Sequence, residues 1–189
     1  VAIDGQYGRI QFDQNDRLVL DGQRLVNIDT ANADYWPSSV NKNVVYYTEQ
    51  NTFRQITSFY TNNAINRFEV RTKDGLIYHY GAIGDNQTDI SNGYYLNEIG
   101  GGQIISWLLT RIEDLNQNVI DFEYDKAALN NSFIKPTLIR YTGRKGNANS
   151  YFAQIIFNYQ QVETQYKYIN GQRIQFNEIL RSINCEYKD

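Results

Sequence analysis

Residues 111–125 read RIEDLNQNVIDFEYD, and how this stretch folds decides the rest of the chain. In its second half Ile120, Phe122 and Tyr124 alternate with Asp121 and Glu123. A period of two puts the two sets on opposite faces of a strand. The centre, Asp114-Leu115-Asn116-Gln117-Asn118, is short and polar. Asn and Asp bond to nearby backbone and tolerate left-handed geometry, so the centre predicts a hairpin tip. The same residues open like a calcium loop, D-x-N-x-N, with Asp114, Asn116 and Asn118 as weak candidate ligands. The rest of that signature is missing: Val119 stands where glycine is needed, and Asp125 where a glutamate would close the shell. Asp114, Asn116 and Asn118 are therefore read as turn residues, and no metal is expected.

Outward from this hairpin the same period recurs. The apolar segment IISWLLTRIED (104–114) is ambiguous between helix and strand. Its alternation favours one strand, paired with 118–125. Upstream, INRFEVRT (65–72) and LIYHYG (76–81) flank Lys73-Asp74-Gly75. Phe68 and Val70 share a face, as do Tyr78 and Tyr80, with Arg67, Glu69, Arg71 and His79 opposite. Asp21-Gly22 is a second hairpin signal, between RLVL (17–20) and QRLVNI (23–28), because glycine accepts the positive φ that such turns need. GRIQF (8–12), VVYYT (44–48) and FRQITSFY (53–60) read as strands, as do PTLIRYTG (136–143), YFAQIIFNYQ (151–160), QRIQF (172–176) and EILRSINCEY (178–187). Residues 82–103 predict a long loop with Gly100-Gly101-Gly102 at its tip, and 126–133 a loop or one helical turn. The sum is about a dozen strands with hairpin-length connections. The expected fold is all-β: antiparallel strands and hairpins in a sandwich, partial barrel or shell-like sheet, with little helix. No linker is visible, so residues 1–189 are expected to form a single domain.

Composition agrees. The 16 Tyr and 9 Phe suit pleated surfaces, and only 2 of the 189 residues are proline. A net charge of −3 offers no electrostatic footprint for nucleic acid or an anionic membrane. No apolar run approaches the ~20 residues of a membrane span. Cys185 is the one cysteine, so no intrachain disulfide can form, and it is expected as a small buried strand residue. The chain starts at Val1 and contains no methionine, which predicts a fragment of a longer polypeptide whose export signal lies elsewhere.

Candidate chemistry is sparse. His79 is the only histidine, and its place opposite an apolar face predicts an exposed strand residue. Glu113 with Asp114, and Asp121 with Glu123, are the visible carboxylate groupings for acid–base work, and strand faces of this kind are usually solvated. Trp36, Tyr46, Tyr47, Tyr94 and Tyr95 could stack on sugars if exposed. Gly100–Gly102 is not followed by Lys-Ser/Thr, which argues against a phosphate loop, and no cofactor is expected.

RLVLDGQRLV (17–26), FEVRTKDGLIYHYG (68–81), WLLTRIEDLNQNVIDFEYD (107–125), LIRYTG (138–143) and IIFNYQ (155–160) occur in this order. The chain thereby resembles the N-terminal domain of the Salmonella virulence plasmid 65 kDa B protein. The same domain opens the B component of insecticidal toxin complexes and occurs in proteins with Rhs or YD repeats. The family pattern D-x-x-G-N has Gln117 here in place of its glycine, so Asn116 or Asn118 is expected to take the left-handed position, or the turn to be of another type. An Arg-Pro-Asp often found after the F-x-Y strand is replaced by Gln161-Val162-Glu163.

The resemblance implies a non-catalytic structural module of a secreted or cell-surface bacterial toxin-complex or Rhs-type protein. It would form part of a β shell that encloses or presents a C-terminal toxic cargo. Its partners would be other domains of the same long chain and other toxin-complex subunits. The family's ADP-ribosyltransferase needs a Glu-x-Glu signature, and none occurs here. Two alternatives stand beside this reading: a glycan- or receptor-binding β module, which needs clustered exposed aromatics, and a carboxylate-dependent hydrolase, which needs a cleft with two carboxyl groups. The shell reading further implies an exposed apolar patch or unpaired edge on the isolated domain.

Overall fold

The structure is a computed structural model that describes residues 2–3, 6–7, 16–27, 35–37, 43–61, 64–82, 94–97, 104–125, 135–147, 150–169 and 172–187. The expected strand at 8–12, the Gly100–Gly102 tip and the segment 126–133 lie outside these residues. The first strands are β1 (Ala2–Ile3), β2 (Gln6–Tyr7), β3 (Val19–Leu20), β4 (Gln23–Asn27), β5 (Val44–Thr48), β6 (Gln55–Thr61), β7 (Ala64–Arg71) and β8 (Ile77–Gly81). After them come β9 (Tyr95–Asn97), β10 (Ile104–Trp107), β11 (Leu109–Glu113), β12 (Asn118–Tyr124), β13 (Pro136–Arg144), β14 (Ala153–Ile169) and β15 (Gln172–Tyr187). Among the described residues there is no helix, and so none long and apolar enough to cross a membrane.

The protein is all-β. Eleven strands form one sheet in the order β15-β14-β13-β12-β11-β8-β7-β6-β5-β4-β3, which does not close into a barrel. Every pairing in it is antiparallel, so of the three expected arrangements the open, shell-like sheet is the one found. β1–β2 and β9–β10 are separate two-stranded pairs.

One face of the β4–β8 half carries the core: Leu25, Val44, Tyr46, Ile56, Phe68 and Val70 are all buried. Registers explain why they meet, since Tyr46 lies opposite Ile56, Ile56 opposite Val70 and Val70 opposite Tyr78. Trp107 of β10 covers this face, with its ring 4.9 Å from that of Phe68 and its indole N–H donating to the carbonyl of Ile65 at 2.9 Å. Tyr35 and Trp36 cap the same core edge-on to each other at 5.6 Å.

The segment 104–114 is not one strand. It divides at Leu108, whose N–H donates to the carbonyl of Tyr94 and whose carbonyl accepts from Gly81. The chain there changes partner, from β9 on one side to β8 and β12 on the other. Sequence alternation runs through this switch and hides it. The last two strands are likewise longer than their alternation suggests: β14 runs to Ile169, and β15 is continuous from Gln172. β13 pairs with β14 only over Ala153–Ile156, so beyond that the two form a ribbon. Cys185 is exposed on β15, because no described strand lies beyond it.

Gly143 on β13 is crossed by the Tyr151 ring, and a β-carbon there would meet Tyr151 Cε1 at 2.1 Å. Gly143→Ala is expected to destabilise the protein by about 2 kcal/mol, the usual cost of overpacking. A urea unfolding midpoint unchanged from wild type would contradict this packing.

Candidate functional site

The face opposite the core holds the charged groups. Its registers carry one row straight across the sheet from β5 to β15. Val45, Thr57, Glu69, His79, Arg111, Asp121, Arg140, Gln154 and Glu186 each lie directly opposite the next. Glu69, His79 and Asp121 in this row are buried, with relative exposures of 8%, 9% and 8%. The expectation of an exposed His79 is thus overturned, and so is that of a solvated Asp121, while Glu123 beside it is partly exposed. Side chains of neighbouring strands on this face crowd together and exclude solvent, which alternation alone does not reveal.

Buried charges need partners, because an uncompensated one costs several kcal/mol. Here they have them. Arg111 grips Asp121 with two parallel bonds, Nε to Oδ1 at 2.6 Å and Nη2 to Oδ2 at 3.0 Å. The Tyr151 hydroxyl also donates to Asp121 Oδ2. Burial first, and then this bond to a carboxylate, push the Tyr151 phenol up to about 12. Glu69 accepts from Arg67 at 2.5 Å and from Arg71 at 3.1 Å. Arg67 also lies over the Phe59 ring, 3.6 Å from its centroid. Arg140 pairs with Glu123, and Lys135 with Asp125 and Glu178.

His79 sits in the middle. Its Nε2 faces Glu113 Oε2 at 3.4 Å, and Glu113 takes Lys145 at 3.1 Å. Burial lowers the imidazole pKa, more than Glu69 and Glu113 raise it. The native imidazole is therefore neutral at pH values where the unfolded one, near 6.5, begins to bind a proton. Among the described residues no group of three or more acidic, histidine or cysteine side chains could hold a metal.

The hairpin tip at 114–118 has its own geometry. Asp114 Oδ1 accepts from the backbone N–H groups of Asn116 and Asn118, both at 2.8 Å, and Oδ2 accepts from Asn118 Nδ2 at 2.8 Å. These bonds, that from the Asn118 side chain first, hold the Asp114 carboxyl below the ordinary carboxylate range. The carboxylate is thus occupied within its own turn. The left-handed residue is Gln117, with φ of 65°, and not Asn116 or Asn118 as expected. It stands at the position where the family pattern has glycine. The Gln117 carbonyl accepts from the Lys145 N–H, which ties this tip to the end of β13.

The other turns are simpler. Asp21 and Gly22 both have positive φ, 51° and 77°, and close a two-residue connection between Leu20 and Gln23. Asp21 also pairs with Arg54 at 2.5 Å. Gly75 has φ of 88°, and Asp74 accepts from the Thr72 hydroxyl beside it. Leu115 rests on Gly75, so the two tips touch.

The aromatic residues proposed to stack on sugars are mostly structural. Tyr46 is fully buried, and its hydroxyl donates to the Tyr35 carbonyl at 2.7 Å. Trp36 Nε1 donates to the carbonyl of Asp16, and the Tyr94 ring lies 5.3 Å from that of Tyr124. Among the described residues the exposed aromatics are instead Phe53, Phe152, Tyr166 and Tyr187, the last two on β14 and β15. Sequence reasoning missed the buried row. Its signal was there in Arg67-x-Glu69-x-Arg71 and Arg111-x-Glu113, opposite charges two apart on one strand face.

No family model and no curated protein matches the chain. Solved structures do. The match covers 94% of this chain and 10% of the chain in a TcdB2-TccC3-TEV structure, with a TM-score of 0.65 at 12% identity. A TcdB2-TccC3-Cdc42 structure matches over the same shares, with a TM-score of 0.61 at 12% identity. So does the N-terminal domain of effector protein SpvB from Salmonella typhimurium strain LT2, at TM-score 0.62 and 12% identity, over 94% of this chain and 71% of that one. The chain shares their fold. Strand and turn motifs and the likeness of fold point to the same proteins. This chain spans about 10% of the TcdB2-TccC3 chains that it matches.

Two outcomes follow from this geometry. A histidine with a depressed native pKa is protonated first in the unfolded chain, so its contribution is complete above about pH 6.5 and is lost as the pH falls below it. Urea unfolding of the wild type between pH 7.5 and 5 is expected to show this loss, and His79→Gln to flatten the slope across that window. Gln117→Gly, which relieves a left-handed non-glycine residue, is expected to stabilise the protein by about 1 kcal/mol. A lowered melting temperature would show that the Gln117 side chain is needed there.

Proposed function

We propose that this chain is a non-catalytic wall module of a large, secreted bacterial toxin-type protein. Its open sheet would continue into neighbouring β structure, and the resulting shell would enclose or present a toxic cargo. Its partners would be other domains of the same long polypeptide and further subunits of a toxin complex. The observation that carries this reading is the bare edge of the sheet. β15 has 16 residues, no described strand beyond it, and exposed Ile179, Leu180, Ile183 and Tyr187. Proteins that work alone cover or shorten such an edge. The likeness to TcdB2-TccC3 structures, in which the matched part is 10% of the chain, supports a place within a much larger molecule.

The buried carboxylates support a structural role over a hydrolase. Glu69 and Asp121 face arginines, and Glu113 faces Lys145 and His79. None of these lines the pocket at Tyr151, Phe152, Gln154, Glu186 and Tyr187. The test is limited trypsin digestion of the full polypeptide that carries this module. Its C-terminal segment is expected to persist while the same segment expressed alone is digested. Replacing Leu180 and Ile183 by lysine on β15 is expected to expose it. Equal digestion of the enclosed and the free segment would end the enclosure reading.

A further inference from the structure

The cross-sheet row stops at an unfinished position. From β11 outward its members are Arg111, Asp121, Arg140, Gln154 and Glu186, so that cation, anion, cation, amide donor and anion follow one another. The one anion inside that stretch, Asp121, accepts from Arg111 on one side and from the Tyr151 hydroxyl beyond β13 on the other. Glu186, at the open edge, has a donor on one side only: Gln154 Nε2 donates to its Oε2 at 2.8 Å. Among the described residues no cation pairs with Glu186. Beside it is a pocket of about 210 Å³, lined by Tyr151, Phe152, Gln154 and Tyr187 as well as Glu186. Phe152 and Tyr187 form its aromatic lip, edge to face at 5.5 Å. Along the same strand end Ile183, Cys185 and Tyr187 alternate with Asn184 and Glu186 and are exposed.

We propose that β15 receives a further antiparallel β-strand from an adjoining protein segment, with arginine or lysine directly opposite Glu186 and apolar residues opposite Ile183, Cys185 and Tyr187. The inference rests on the wall reading, and adds the chemistry of the partner. Strand addition supplies main-chain bonds to any extended peptide, while the side chains opposite select which peptide. The selecting feature here is charge: the next position in the row must carry a donor. The molecule uses the same device elsewhere. Arg67 lies over Phe59 at 3.6 Å, Arg17 over Tyr35 at 4.6 Å and Arg140 over Tyr151 at 5.2 Å. A basic side chain in the pocket by Glu186 would meet both a carboxylate and aromatic rings, the two groups that hold a desolvated cation. The antiparallel sense follows the rest of the sheet, where every neighbour is antiparallel.

The test uses ten-residue peptides that alternate valine and threonine, with arginine, glutamine or glutamate at one central position. Dissociation constants would be measured by calorimetry, and amide hydrogen exchange followed over 179–187. The arginine peptide is expected to protect these amides and to bind about tenfold more tightly than the glutamate peptide, from the usual size of cross-strand charge effects. Glu186→Gln should shrink that ratio to about twofold, and Glu186→Arg should invert it, with unchanged melting temperatures as the control for folding. No protection of β15 by any peptide, or equal binding of all three, would overturn the proposal. So would concentration-dependent dimerisation through β15, or protection by a soluble oligosaccharide in place of a peptide. Peptide selectivity together with a freely digested C-terminal segment in the full polypeptide would sink the enclosure and leave strand addition standing.

Discussion

The interaction on which the rest depends is the two-bond grip of Arg111 on Asp121, inside a face whose centre is buried. A sheet with one apolar face and one wet face can be built from hydrophobic contacts alone. This sheet cannot, because the centre of its second face is also buried and is charged. Each strand from β7 to β13 must then arrive in register, since a slip of one residue would set like charges opposite each other or strand an ion without a partner. Arg111 is directly opposite both His79 and Asp121, so it fixes β8, β11 and β12 at once. Tyr151 reaches the same carboxylate from beyond β13 and brings its ring across Gly143. The price of such a face is desolvation; what it confers is a single alignment of many strands.

The two halves of the sheet consequently differ in kind. Across β4–β8 the apolar face is covered by Tyr35, Trp36 and Trp107, and the burial is complete. Across β13–β15 the corresponding residues are only partly covered, and on β15 they are open. The ribbon of β14 and β15 has neighbours on one side alone near its base, where Tyr159 donates to the Pro136 carbonyl and Lys135 reaches Glu178. A two-stranded ribbon of this length gains little from water-exposed pairing. Its order comes from the anchored base and from the continuous backbone ladder.

Much of this fold was legible in the sequence, and the parts that were not share a cause. Alternation gave the strands on either side of Asp114–Asn118, and short-range turn chemistry gave Asp21-Gly22 and Lys73-Asp74-Gly75, because both are local properties. The burial of His79, Glu69 and Asp121 was not legible, since alternation tells which residues share a face and not what that face meets. The break at Leu108 was hidden for the same reason: a change of partner leaves no mark on the period. Cys185 shows the converse, an apolar-looking strand residue left open because no described strand lies beyond β15. At the turn, the sequence offered two asparagines for the left-handed position, and the chain used Gln117 between them. The bonds that Asp114 makes to both flanking asparagines require their backbones elsewhere.

The order of strands in the large sheet follows the order of the chain, with β1–β2 and β9–β10 set aside as separate pairs. In such a meander each strand pairs with the described strand before it in the sheet, and the β8–β11 pairing is the one that reaches across intervening strands. It can be laid down from one side to the other as the chain leaves the ribosome, each strand docking on the one before and leaving a fresh template for the one after. The growing front is then always a single exposed strand. Synthesis and assembly become the same directional process.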